Sequence, residues 1–237
     1  MVGTPGVNFG DLLLTTGSDT FLTSMLTAEQ KARFVYIYGL SGNDHMTIDT
    51  ASYHPSFLSG DDGNDFIELF NPLAPHGSGT DAYGGNGRDT VMGSNGSDYI
   101  AGNSGADRLN GGAGGDYISG GIGDDLLFGG AGRDRFEFRG AEFYGSGDSI
   151  GVSGNMGTDH IADFDAKGAN GDKIHFDMGL TYTDLKIHQS GADVIIQASK
   201  AHVIVSDGVT TYDVDFSVTI VLDGVNRSDI SAADFVF

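Results

Sequence analysis

The sequence contains no cysteine, so no disulfide staples the fold and no thiolate can hold a metal. Basic residues are scarce as well. Lys and Arg number 12 against 33 Asp and Glu, a formal net charge of −21. Nucleic acid and anionic membranes would be repelled by such a chain, which argues against both as partners. No apolar run approaches the roughly 18 residues of a membrane span. The N-terminus lacks a basic segment followed by an apolar one, so no cleavable signal peptide is expected. Nucleophile-elbow, phosphate-loop and dinucleotide-binding glycine motifs are missing. The histidines His45, His54, His76, His160, His175, His188 and His202 do not pair at metal-ligand spacing. Adjacent acids such as Asp61-Asp62 and Asp124-Asp125 suggest acid–base chemistry, but they are better explained as tuning the ion affinity of the repeat described next. The chain is not expected to be an enzyme.

Glycine is abundant: 39 of 237 residues, about 16 % against a usual share of about 7 %. Turns, linkers or close backbone approach must account for the excess. Hydrophobic residues still make up 39 % and aromatic residues 10 % of the chain, so a core can be buried.

The glycines fall in a repeat. From Gly84 the chain reads GGNGRDTVM, GSNGSDYIA, GNSGADRLN, GGAGGDYIS, GGIGDDLLF and GGAGRDRFE, six contiguous nonapeptides ending at Glu137. Two outliers precede them, GLSGNDHMT from Gly39 and GDDGNDFIE from Gly60, with a shortened copy, GSGTDAY, at 77–83. Every full copy has Gly at positions 1 and 4, Asp at position 6 and an apolar residue at position 8. Those apolar residues are Met46, Ile67, Val91, Ile100, Leu109, Ile118, Leu127 and Phe136. At the background hydrophobic frequency, eight hits in eight arise by chance roughly once in two thousand trials.

Each position has a physical reason. The first six residues turn, and the last three form a short strand with position 8 pointing inward. One repeat is half a coil, so repeats n and n+2 stack. The expected fold is all-β: a right-handed parallel β-roll with a short helical cap before it and antiparallel strands after it. The expected division is 1–38 as cap, 39–138 as roll and 139–237 as a C-terminal β region. Stacking places Asp44, Asp65, Asp89, Asp107 and Asp125 along one side, and Asp81, Asp98, Asp116 and Asp134 along the other. Carboxylates about 5 Å apart repel one another. Carboxylate oxygens beside turn carbonyls are hard ligands suited to Ca²⁺, and less to Mg²⁺, which dehydrates reluctantly. One ion between successive turns allows up to four on the first side and three on the second, about seven in the roll.

The pattern GGxGxDxUx resembles the repeats-in-toxin (RTX) family of haemolysin-type calcium-binding repeats. The resemblance implies a roll that folds when Ca²⁺ binds, with Asp carboxylates and Gly carbonyls as ligands. The carbonyls implied are those of Gly42, Gly63, Gly85, Gly87, Gly96, Gly105, Gly112, Gly114, Gly121, Gly123, Gly130 and Gly132. Breaks in the nine-residue phase at 48–59 and 69–75 make Asp44, Asp65 and Asp81 the weaker members of the set. After the roll, DRFEF at 134–138, DHIADF, GDKIHF and the terminal DFVF resemble the region following the roll in serralysin-type metalloproteases. No HExxH occurs in this chain, so that resemblance does not extend to proteolysis. An acidic residue followed by three hydrophobic ones at the extreme C-terminus is similar to the uncleaved signal of type I secretion substrates. It implies a bacterial, extracellular protein passed by a type I exporter without a signal peptide.

In the flanks, Thr27-Ala-Glu-Gln30 reads as a capping box opening a short helix toward Tyr36. Leu22, Leu26 and Phe34 would let that helix cover the end of the roll. Segments 185–188, 193–198 and 201–206 alternate as antiparallel hairpins. An outward ladder of Tyr99, Tyr117 and Arg135, with Arg108 on the other sheet, suits an extracellular polysaccharide or cell surface as an alternative partner.

Overall fold

The computed structural model describes residues 11–31, 36–49, 57–70, 78–139, 142–144, 151–153, 155–167, 171–176, 179–206 and 211–237. Two long sheets face each other, and the chain passes alternately between them. Nine strands form the first, in the order Asp11–Leu13, Tyr36–Tyr38, Phe57–Asp62, Ser78–Asn86, Ser97–Ser104, Tyr117–Ile122, Arg135–Phe138, Lys173–Phe176 and Phe235–Val236. Ten form the second: Thr20–Leu22, His45–Asp49, Phe66–Phe70, Thr90–Met92, Arg108–Asn110, Leu126–Phe128, Asn155–Ile161, Thr211–Leu222, Asp193–Ser206 and Lys186–Ser190. The stacked strands are parallel and keep the expected register. Leu109 lies between Val91 and Leu127, and Ile118 between Ile100 and Phe136. This is the parallel β-roll that the repeat period predicts, and α-helix among the described residues is confined to Ala28–Lys31.

All eight position-8 side chains are fully buried. A buried Leu or Ile contributes on the order of 1.5–3 kcal/mol, so the ladder is the main cohesive term between the sheets. The outward neighbours at positions 7 and 9 carry the polar and aromatic residues, as a pleated strand requires.

The coil extends beyond 39–138 at both ends. Asp11–Leu13 and Thr20–Leu22 already pair in parallel with Tyr36–Tyr38 and His45–Asp49, and Leu12, Phe21 and Ile37 extend the inward ladder. At the other end Asn155–Ile161 and Lys173–Phe176 stack on Leu126–Phe128 and Arg135–Phe138, adding Ile161 and Ile174. Intervening residues lengthen the connections without breaking the stack, because each coil needs only its strand and turn to meet the one below. The capping box is formed: the Gln30 amide donates to Thr27 Oγ1 at 3.2 Å, and the Thr27 amide to Gln30 Oε1 at 2.9 Å. That helix is one turn long. Leu26 is buried and Leu22 half-buried, while Phe34 lies outside the described residues.

Beyond the coil, Lys186–Ser190, Asp193–Ser206 and Thr211–Leu222 pair antiparallel as a meander. Its last strand lies parallel to Asn155–Ile161 and so joins the meander to the roll. The terminal DFVF folds back: Phe235–Val236 pairs with Lys173–Phe176 as the last strand of the first sheet. Phe235 is buried, and Phe237 stacks on Phe176 at a centroid distance of 6.1 Å.

Candidate calcium sites

One carboxylate oxygen of each aspartate at position 6 has a backbone task. Each Oδ1 accepts the amide N–H of the equivalent residue one coil back. On the second sheet's side the amides of Asp44, Asp65, Asp89, Asp107 and Asp125 donate to Asp65, Asp89, Asp107, Asp125 and Asp159, at 2.7–3.0 Å. On the first sheet's side the amides of Thr80, Asp98, Asp116 and Asp134 donate to Asp98, Asp116, Asp134 and Asp172, at 2.8–2.9 Å. A position-6 aspartate is thus a link between coils, whatever else it binds.

The second oxygen is left over. Oδ2 of Asp44, Asp65, Asp89, Asp107, Asp116, Asp125, Asp134 and Asp159 is buried with no hydrogen-bond partner among the described residues. A buried carboxylate oxygen without a partner is costly, and a column of them fits a bound cation. Burial, opposed by the amide hydrogen bond and aided by neighbouring carboxylates, pushes the Asp65 and Asp116 carboxyls up to about 7. It pushes Asp89 and Asp134 to about 6 and Asp107 to about 8. Asp44 is also raised, chiefly by burial. Burial, and then the carboxylate of Asp125, itself raised to about 6, hold Asp159 well above the usual carboxylate range. Without a cation Asp65, Asp107 and Asp116 would hold protons near neutral pH.

Glycine at position 1 makes room for that oxygen. A Cβ on Gly84 would stand 2.6 Å from Asp89 Oδ2 and 2.9 Å from the carbonyl oxygen of Gly102, one coil on. Gly39, Gly60, Gly102 and Gly111 show the same pair of collisions, each with its own aspartate and the position-1 carbonyl of the next coil. A carboxylate and a carbonyl oxygen therefore converge on each cradle from two coils. The donor set is all oxygen, partly anionic and buried, which fits Ca²⁺ rather than a softer metal. Among the described residues no three acidic or imidazole side chains meet at one point, so the backbone must complete each shell. The position-4 carbonyls of Gly42, Gly63, Gly87, Gly96, Gly105, Gly114 and Gly123 run in columns, each facing the position-4 glycine of the next coil. Left-handed φ at Gly87 (134°) and Gly105 (141°), with no room for a Cβ beside the preceding carbonyl, explains why only glycine serves there. The chain carbonyls proposed as ligands at Gly85, Gly112, Gly121, Gly130 and Gly132 belong to the same turns, all with positive φ. The position-1 carbonyls are the addition that the structure makes.

Asp81 is displaced from the column. The shortened copy pairs Asp81 with Tyr99 and Ala82 with Ile100, so Asp81 occupies position 7 and is exposed. Buried Thr80 takes position 6 and has no carboxylate to offer. Asp98 is buried, but its Oδ2 accepts from Ser94 and is not orphaned. In the other direction, Asp159 and Asp172 extend the two columns past the contiguous repeats. The sequence carries the signal for Asp159, because GNMGTDHIA at 154–162 is another full copy after an insertion. For Asp172 the spacing is one residue short, and only the pairing of Arg135 with Lys173 places it. Asp163 caps the final turn, its carboxylate accepting the amides of Gly129 and Gly130 at 2.8 and 2.9 Å. Asp165 pairs with Lys167 at 2.6 Å.

The model of the RTX calcium-binding nonapeptide repeat matches residues 83–118 and 102–136. No curated protein matches the chain. Among solved structures, the chain is similar to two subunits of the mannuronan C5-epimerase of Azotobacter vinelandii. AlgE6R3 shares 27 % identity at a TM-score of 0.42, covering 70 % of this chain and 82 % of its own. AlgE6R2 shares 26 % at 0.39, covering 65 % and 91 %. The extracellular lipase LipA of Serratia marcescens shares 16 % at 0.40, covering 97 % of this chain and 39 % of its own. Family model, repeat geometry and the orphaned oxygens agree: the central element of this protein is a calcium-binding RTX-repeat β-roll.

Proposed function

We propose that the protein is a secreted calcium-binding protein whose roll is completed by Ca²⁺ after export through a type I exporter. The observation that carries this reading is the set of buried Oδ2 atoms without a partner, in seven of the eight intact copies and at Asp159, beside backbone carbonyls. Mutual repulsion and desolvation hold the apo coil loose where Ca²⁺ is scarce. Outside the cell, millimolar Ca²⁺ suffices for modules that bind at about 10⁻⁴–10⁻³ M, and binding energy becomes folding energy. Circular dichroism of the full chain in EGTA and across a Ca²⁺ titration tests the reading. A cooperative gain of β signal with Ca²⁺ but not with equal Mg²⁺ is expected. A spectrum already folded in EGTA and indifferent to Ca²⁺ would overturn it.

A second reading, a calcium-dependent polysaccharide- or cell-surface-binding module, is favoured by the outer face of the first sheet. Phe57 stacks on Tyr83 at 4.7 Å, Tyr83 lies 5.7 Å from Tyr99, and Arg135 lies 5.5 Å over the ring of Tyr117, itself 43 % exposed. On the other sheet Arg108 covers Phe128 at 4.3 Å. Flat rings and guanidinium groups in a row suit sugar rings and sugar-acid carboxylates. A glycan array probed in Ca²⁺ decides it, and no binding rules the module out.

A further inference from the structure

The turns of this roll come in two forms, and position 2 of the repeat selects between them. In the open form Oδ2 is buried and unpartnered above the position-1 glycine. Seven of the eight intact copies from Gly39 to Glu137 take it. In all seven, position 2 is left-handed, with φ from 65° at Asp61 to 120° at Gly85, and including Leu40 and Asn103.

The eighth copy, from Gly93, is closed. The Ser94 amide and hydroxyl both donate to Asp98 Oδ2, at 2.7 and 2.9 Å, and the same hydroxyl accepts the Gly96 amide at 3.0 Å. The first turn of the coil repeats this arrangement with a different residue. There the Thr15 amide and hydroxyl donate to Asp19 Oδ2 at 2.6 and 2.7 Å, and the hydroxyl accepts the Gly17 amide at 3.4 Å. Neither Ser94 nor Thr15 has a positive φ. The open-form collision is also gone: a Cβ on Gly93 would meet the Gly111 carbonyl and Ile100, but not its own aspartate. Position 1 of the Thr15 turn is Leu14, a residue the open form has no room for.

We infer that a serine or threonine at position 2 closes the turn against calcium, so that the Asp19 and Asp98 steps are calcium-free and the turns with an unpartnered Oδ2 carry the ions; at Asp172 the Asp165 amide occupies Oδ2 instead, at 2.8 Å. The inference rests on the calcium reading above. A hydroxyl and an amide supply the two hydrogen bonds that Oδ2 needs, and they hold it away from the carbonyl it would share with an ion. Closed turns sit at the first coil and at the step after Thr80, where no carboxylate stands on the neighbouring coil. The fold is therefore linked by protein hydrogen bonds alone where a pair of carboxylates is missing.

Calcium stoichiometry of the full chain, measured by titration calorimetry and by equilibrium dialysis with radiolabelled Ca²⁺, tests this. Ser94→Gly frees Asp98 Oδ2 to join the Gly111 carbonyl, and the variant is expected to bind one ion per chain more than the wild type. Gly112→Ser does the reverse. In the open form its Cβ would strike the Ser94 carbonyl at a φ of 99°, so the serine is accommodated only by closing over Asp116, and one ion is lost. Unchanged stoichiometry in both variants overturns the inference. If one variant fails to fold in Ca²⁺ the other decides, and failure of both also overturns it, since the two forms would then not be interchangeable. A wild type that binds no Ca²⁺ at all would instead overturn the calcium reading, and this inference with it.

Discussion

Replacing Asp107 by asparagine should stabilise the protein in EGTA and stabilise it much less in Ca²⁺. Asp107 is buried, its Oδ1 accepts the Asp89 amide at 2.8 Å, and its Oδ2 has no partner. Burial first, then Asp125 and Asp89, raise its carboxyl from an ordinary 3.8 to about 8 in the folded chain without metal. A raised acid costs stability as pH climbs from the unfolded value toward the folded one, and costs nothing below the unfolded value. At pH 7.5 nearly the whole interval applies, up to about 5 kcal/mol at 1.36 kcal/mol per unit. Asparagine removes that cost, keeps an Oδ1 for the Asp89 amide, and can donate its amide to the Gly120 carbonyl that crowds the same cradle. In 10 mM Ca²⁺ the advantage shrinks. A site binding at about 10⁻⁴–10⁻³ M contributes roughly 1.4–2.7 kcal/mol at that concentration, and the variant loses a ligand from it. Thermal melts followed by circular dichroism at pH 7.5 would show the midpoint rise by roughly 10 °C in EGTA, and by roughly 3–10 °C less than that in Ca²⁺. If the aspartate is only a turn acceptor, asparagine serves equally well. An unchanged midpoint in both media, or a fall in both, would therefore refute the reasoning.

The same shifts predict a pH dependence of opposite sign with and without metal. In EGTA the roll should gain stability as pH falls from 8 to 5, while Asp107, Asp65, Asp116, Asp89 and Asp134 take up protons. In Ca²⁺ it should lose stability over the same range as protons displace the ions; urea midpoints at each pH provide the check. Leu109→Ala empties a fully buried rung between Val91 and Leu127, and should cost about 2–5 kcal/mol by urea unfolding in 10 mM Ca²⁺. Gly105→Ala places a Cβ against the Gly87 carbonyl at a φ of 141°, and should cost on the order of 1–3 kcal/mol and raise the Ca²⁺ midpoint of folding. Phe235→Ala removes a buried ring from the last strand of the first sheet. A loss of about 3–5 kcal/mol is expected; a neutral result would mean that the terminal strand is not part of the cooperative core.

Much of the site was legible in the residues because the roll is quasi-one-dimensional. Each coil touches only its neighbours, so a period of nine gives both the 18-residue register and the inward position, and Leu109 and Ile118 lie where that arithmetic puts them. Asp89, Asp107, Asp116, Asp125 and Asp134 follow from phase alone. Phase fails where the count is broken. Asp81 reads as position 6 from its neighbours in sequence but sits at position 7, because strand pairing with Tyr99 overrides the shortened copy. Asp172 is invisible for the same reason in reverse: its turn is a residue short, yet it stacks on Asp134. Asp19, whose copy lacks the first glycine, reads as part of a cap until its strand is seen beside His45–Asp49.

The sequence by itself determined the all-β roll, its register, its buried ladder and most of the aspartate columns of its turns, because all four depend on residues a fixed distance apart along the chain. Tertiary structure alone decided where the columns begin and end and which carboxylate oxygens stay free. Those depend on which backbone amide or hydroxyl reaches an aspartate, at Ser94 and Asp98 as at Asp134 and Asp172. Such contacts are made across coils, or by the φ of a single turn residue, and no spacing rule records them.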